Sequence, residues 1–89
     1  LIDNISKEII SIIAEVSGFK PTEIKRNTNF GEKLEIDSIK AIEITVAIEK
    51  SFGISIRNED VPNITTVNQA VLLTEKLLKE KSSSVMVDI

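Results

Sequence analysis

Ile5, Ile9, Ile12, Ile13 and Val16 recur at three- and four-residue intervals, the spacing of one apolar helix face. The pattern predicts a first helix over residues 4–17, capped by Asp3 or Asn4 and stopped by Gly18. So many isoleucines lower intrinsic helix propensity. Packing of an apolar face nevertheless supplies most helical stability in a folded chain, so the periodicity takes precedence. A second helix is expected over residues 38–52, with Asp37 as N-cap and Gly53 as terminator. A third long helix is expected from Val67, where Thr66 and Gln69 have the spacing of a capping box. Val67, Ala70, Val71, Leu77 and Leu78 share its apolar face, and Leu72 points away from it.

Between these helices the apolar positions thin out. Residues 19–36 form a long connection rich in turn formers (Pro21, Asn27, Asn29 and Gly31), with Ile24, Phe30 and Leu34 as spaced anchors. Connections of this length in a compact domain often carry function. One helical turn is expected around Pro21–Lys25 and another over Arg57–Val61, ahead of Pro62. Ile54 and Ile56 lie in an extended link before that second turn. Ser82–Ser84 reads as a small flexible run, so the chain divides into a domain over 1–81 and a C-terminal tail or linker over 82–89. The fold class is all-α.

Composition narrows the function. With 89 residues the chain is long enough for one small domain. Eleven basic against fourteen acidic residues give a net charge of −3, which argues against nucleic acid as a partner. Cys, His, Tyr and Trp are all absent, so there is no thiolate, no imidazole base and little catalytic chemistry intrinsic to the chain. No apolar run approaches the ~20 residues of a membrane span, and no secretory signal is visible. A cytoplasmic, non-membrane setting is expected. The chain begins at Leu1 rather than Met, which fits either removal of a tag or excision from a longer polypeptide.

The second helix carries more apolar surface than an outer helix needs. Projected at about 100° per residue, Ala41, Ile44, Ile48 and Phe52 fall on one side and Ile39, Ile42 and Val46 roughly opposite. Two opposed stripes mean either burial on both sides or an apolar surface reserved for a partner. The second stripe starts beside Ser38, at the helix N-terminus. There the first amides are unpaired and the helix dipole is positive, so a phosphate on a first-turn serine is electrostatically favoured. Asp-Ser before a helix is also ordinary capping chemistry, and Asp-Ser followed by Leu or Ile occurs by chance in roughly one chain in twenty of this length.

The wider pattern is more specific. Leu34-Glu35-Ile36-Asp37-Ser38-Ile39 resembles the phosphopantetheine attachment site of acyl carrier proteins. Residues 47–56 resemble the end of the family's second helix and its extended exit segment, and residues 64–71 resemble the opening of its last helix. The spacing between the three blocks also fits, and the likeness covers about residues 2–80. It implies a four-helix bundle of three long helices and one short one, with a long loop between helices 1 and 2. It implies a monomeric carrier rather than an enzyme. Ser38 would bear 4′-phosphopantetheine, added covalently from coenzyme A by a separate magnesium-dependent phosphopantetheinyl transferase. Asp37 would help position metal and cofactor during that transfer. Acyl or polyketide intermediates would ride on the arm as thioesters, presented to acyltransferases, ketosynthases or other acyl-processing enzymes. Ile39, Ile42 and Val46 would be the partner-binding stripe, with Lys40, Glu43 and Glu49 as flanking charges. The Ile/Leu/Val interior would open to shelter the acyl chain, with Ile48, Ile56, Ile64 and Ala70 lining it.

Two departures qualify the likeness. Lys40 and Lys50 dilute the acidic stripe usual in bacterial fatty-acid carriers, and Ser-Ile-Lys is more similar to carriers of polyketide or polyunsaturated fatty-acid synthases. Glu35 stands where a glycine is common, which makes the local loop less permissive. The alternatives are a helical interaction module in which Asp37-Ser38 only caps a helix, or an aminoacyl or peptidyl carrier. The latter often have His rather than Asp before the serine. Of the remaining features, Phe30 and Phe52 are expected in the core. Lys76, Lys79 and Lys81 are expected on a solvated face, and Glu59 and Asp60 as first-turn acids.

Overall fold

Gly18 ends the first helix as its position suggests. It adopts a left-handed φ of 84° while its N–H donates to Ala14 O at 2.9 Å. The helix it closes, α1 (Ile2–Ser17), begins slightly ahead of the expected start. Three further α-helices follow: α2 (Phe30–Lys33), α3 (Ser38–Phe52) and α4 (Val67–Asp88). Two 3₁₀ segments, Pro21–Glu23 and Asn58–Asn63, lie between them. This computed structural model describes the backbone of residues 2–88 and the side chains of residues 4–81. The tail expected over 82–89 has its side chains outside the described residues.

The three long helices pack around one aliphatic core. Ile9 and Ile13 of α1 meet Ile44 and Ile48 of α3 and Val67, Ala70 and Val71 of α4, all buried. α1 is the central member, contacting both α3 and α4. Leu72 faces outward, as the periodicity of α4 requires. Phe30 is buried and Phe52 packs half-buried against the same cluster. No strand forms among the described residues, and the single isolated bridge joins Asn29 to Thr66.

That bridge explains how so long a connection stays ordered. Phe30 N–H donates to Thr65 O at 2.8 Å, and Asn68 N–H donates to Arg26 O at 2.8 Å. The loop is thereby stitched to the start of α4. Ile24, Phe30 and Leu34 anchor it from below as buried side chains. Within it the sequence reading missed α2. Four residues are too few for a periodicity to show. The available signal was the cap, since Asn29 Oδ1 accepts from the Glu32 N–H at 2.9 Å, with the three-residue spacing typical of a helix start.

The remaining differences are local. The expected turn over Arg57–Val61 runs over Asn58–Asn63 and passes through Pro62. It consists of two successive turns, closed by Asp60 N–H to Arg57 O and Ile64 N–H to Val61 O. Pro62 sits early in the second turn, where an amide hydrogen is not needed. Glu59 and Asp60 lie in its first turn, where Arg57 reaches both. At the start of α4, Gln69 N–H donates to Thr66 Oγ1, but the Gln69 side chain accepts from the Thr65 N–H rather than from that of Thr66. The capping box is therefore displaced by one residue on its return arm. Lys81 Nζ donates to Gly53 O at 2.7 Å, so one of the expected solvent-facing lysines ties α4 to the end of α3.

Glu35 has a φ of 53°, the sole positive φ outside glycine among the described residues. A side chain there costs about 1–2 kcal/mol, and the unfolded-state entropy of a glycine offsets part of that. Glu35→Gly should therefore raise stability, by up to about 1 kcal/mol. A urea melt that moves to higher midpoint with unchanged slope is the expected result.

Candidate functional site

The loop that carries Glu35 is held at both ends by apolar anchors. Leu34 is buried and Ile36 is half-buried against the core, while Ile36 N–H donates back to Phe30 O at 3.1 Å. This delivers Asp37 in an extended conformation, with ψ of −175°, to the start of α3. Asp37 Oδ1 accepts from the Lys40 N–H at 2.8 Å, and its carbonyl accepts from the Ala41 N–H at 2.9 Å. It is the N-cap that the sequence implies. Asp37→Ala should cost about 1 kcal/mol through loss of this cap, read as a lower denaturation midpoint.

Ser38 is thereby the first residue of a helix of 15 residues, and its side chain is exposed. The first-turn amides and the positive end of the α3 dipole lie beside its hydroxyl. Beside it opens a cleft of about 540 Å³, lined by α2, the 36–38 loop, the first turns of α3 and the Asn58–Asn63 segment. Its walls are mainly apolar, with Phe30, Ile36, Ile42, Val61 and Ile64 among them, and Asp37 and Ser38 form part of its edge.

The two stripes of α3 have different fates. Ile44 and Ile48 are buried, with Phe52 half-buried, whereas Ile39, Ile42 and Val46 are 68%, 57% and 40% exposed. The apolar second face is thus solvent-facing, and burial on both sides does not occur. Thr45, at the boundary, turns its hydroxyl inward to donate to Ala41 O at 2.8 Å. Lys40 is half-buried and Glu43 exposed. Glu49 is half-buried and committed internally, because its Oε2 accepts from the Ile56 N–H at 2.7 Å and holds the exit segment against α3.

The four residues named as an acyl-chain lining separate. Ile64 reaches the cleft beside Ser38. Ile48, Ile56 and Ala70 lie in the packed core, the interior that would have to open for such a shelter. The cleft is also lined by Phe30, Gly31, Ile36, Val61 and Pro62. Nothing in their spacing marks these residues as neighbours, because three separate segments supply them.

The family model described as the phosphopantetheine attachment site matches residues 7–73. The chain belongs to this family of acyl carrier proteins. It is 39% identical over 72 residues to the meromycolate extension acyl carrier protein of Mycobacterium leprae (strain TN), with 81% of this chain and 63% of that protein covered. The proteins of the same name from Mycobacterium bovis and Mycobacterium tuberculosis (strain H37Rv) give the same figures. The chain thus spans 63% of the length of these relatives. Acyl carrier proteins are carriers, not enzymes, and their prosthetic group is covalent 4′-phosphopantetheine.

The residues present fit that group. An exposed hydroxyl stands at a helix N-terminus, where a phosphodiester is electrostatically favoured. An apolar cleft adjoins it. The chain has no cysteine of its own, and the prosthetic group would bring the thiol. Among the described residues no helix is long and apolar enough to cross a membrane.

Proposed function

We propose that Ser38 is the attachment point of 4′-phosphopantetheine and that the domain holds acyl groups on it for delivery to acyl-processing enzymes. The observation that carries this reading is the exposed Ser38 side chain at the N-terminus of α3, within the residues matched to the family. When bound, the group supplies the thiol to which an acyl chain is joined. The chain's own residues do the rest. Ser38 offers its hydroxyl to a phosphopantetheinyl transferase. Asp37 fixes the backbone that presents it, and the first-turn amides of α3 face the negative charge placed there.

Delivery to partners rests on the exposed face of α3. Ile39, Ile42 and Val46 form its apolar centre, and Lys40 and Glu43 flank it with opposite charges. Glu49 stands at its far end and keeps the exit segment in place. A tether of fixed length raises the concentration of the carried group at each enzyme that docks, without new contacts. The relatives are named for meromycolate extension, and this supports chain extension as the process served. The mixed charges of α3 suit partners that dock chiefly through apolar contact. The reading sets the domain in the cytoplasm as a monomer.

The test is an intact-mass spectrum after incubation with coenzyme A, magnesium and a broad-specificity transferase. One added phosphopantetheine is expected. A folded domain with no gain in mass would return Asp37-Ser38 to plain helix capping.

A further inference from the structure

Gly31 is a glycine without a backbone reason to be one. It lies inside α2, and its φ is not in the left-handed region. A Cβ built on it meets only Asn29 Oδ1 within 4 Å, at 3.7 Å, which is ordinary contact. The short helix is already capped by Asn29 and pinned to α4 through Phe30 N–H and Thr65 O. Neither close packing nor turn geometry explains why the position lacks a side chain.

Its location does. Gly31 lines the cleft that Ser38 also lines, together with Val61 and Pro62. The volume of about 540 Å³ is in the range that takes a small ligand. The packed core, by contrast, holds Ile48, Ile56 and Ala70 buried against their neighbours. The space next to the tether is therefore on the flank of the bundle. Any occupant tethered at Ser38 starts at its edge.

We propose that Gly31 is a specificity-determining residue: its missing side chain leaves room in the cleft beside Ser38 for a bulky apolar acyl group held on the Ser38 arm. The inference rests on the attachment of that arm to Ser38, as proposed above. A larger residue at 31 narrows the cleft from the α2 side and leaves Ser38, Asp37 and the exposed face of α3 untouched. The carried group then stays in water.

A broad-specificity transferase with magnesium loads the full chain from coenzyme A whose thiol carries a polarity-sensitive naphthalene fluorophore on an alkyl spacer, releasing 3′,5′-ADP. Wild type, Gly31→Ala and Gly31→Leu are compared, with uptake read by intact mass and environment by emission wavelength. All three take up one label, and the unloaded variants melt no lower than wild type, because alanine and leucine are better helix formers. Wild-type emission is shifted to the blue of the free labelled coenzyme. Gly31→Leu loses most of that shift, and Gly31→Ala, which keeps the fold with the smallest change, loses part of it. Water-like emission from loaded wild type, or an undiminished shift in a loaded Gly31→Leu, overturns the role of Gly31 and leaves the attachment reading standing. No uptake by folded wild type overturns both.

Discussion

Ser38→Ala abolishes the gain of phosphopantetheine while leaving the domain folded. The two halves of this expectation have separate causes. The hydroxyl at 38 is the group that would be modified, and alanine offers no oxygen in its place. The fold does not depend on it, because the cap of α3 is Asp37, whose Oδ1 holds the Lys40 N–H at 2.8 Å. Alanine is also at least as good a helix former as serine. Ser38 is exposed, so no packing is lost. The unfolding free energy should stay within about 0.5 kcal/mol of wild type, as for other surface changes, while the mass gain falls to nothing. Unfolding of the variant would make Ser38 structural and weaken the carrier reading.

Ile48→Ala has the largest expected effect on stability. Ile48 has 0% exposure and sits where α3 meets α1 and α4. Removing three carbons from such a site costs the lost burial plus the cavity left behind, about 2–5 kcal/mol. A domain of this size has only about 4–13 kcal/mol in total, so the change removes a large share. Ile42, on the same helix and nearer its start, is 57% exposed. Ile42→Ala should cost about 0.5 kcal/mol or less. The two variants, compared by urea denaturation, read out the two faces of α3 directly. Comparable losses from both would mean that the outer face is covered after all.

This contrast also marks how far the sequence alone reaches. The limits of α3 were legible because both ends carry local signals, Asp37 as a capping oxygen and Gly53 with its left-handed φ of 65°. Both stripes of the helix were legible as well. Which one faces solvent was not, because it depends on where α1 and α4 sit. The make-up of the cleft shows the same limit. Ile48, Ile56, Ile64 and Ala70 are equally apolar in the sequence, yet the fold brings one to the cleft and puts three in the core. Glu49 reads as a flanking charge, and nothing in the sequence shows that the chain, after turning at Gly53, also brings the Ile56 N–H to its carboxylate. α2 escaped notice because one helical turn is recorded only in its cap.

The central claim is that one hydroxyl carries the arm, and peptide mapping tests it most directly. Trypsin cuts after Lys33 and Lys40, which releases Leu34-Glu35-Ile36-Asp37-Ser38-Ile39-Lys40, a peptide whose sole hydroxyl is that of Ser38. After incubation with coenzyme A and transferase, the added phosphopantetheine should appear on this peptide and on no other. An unmodified peptide from a fully loaded protein, with the added mass on another serine or threonine, would contradict the account.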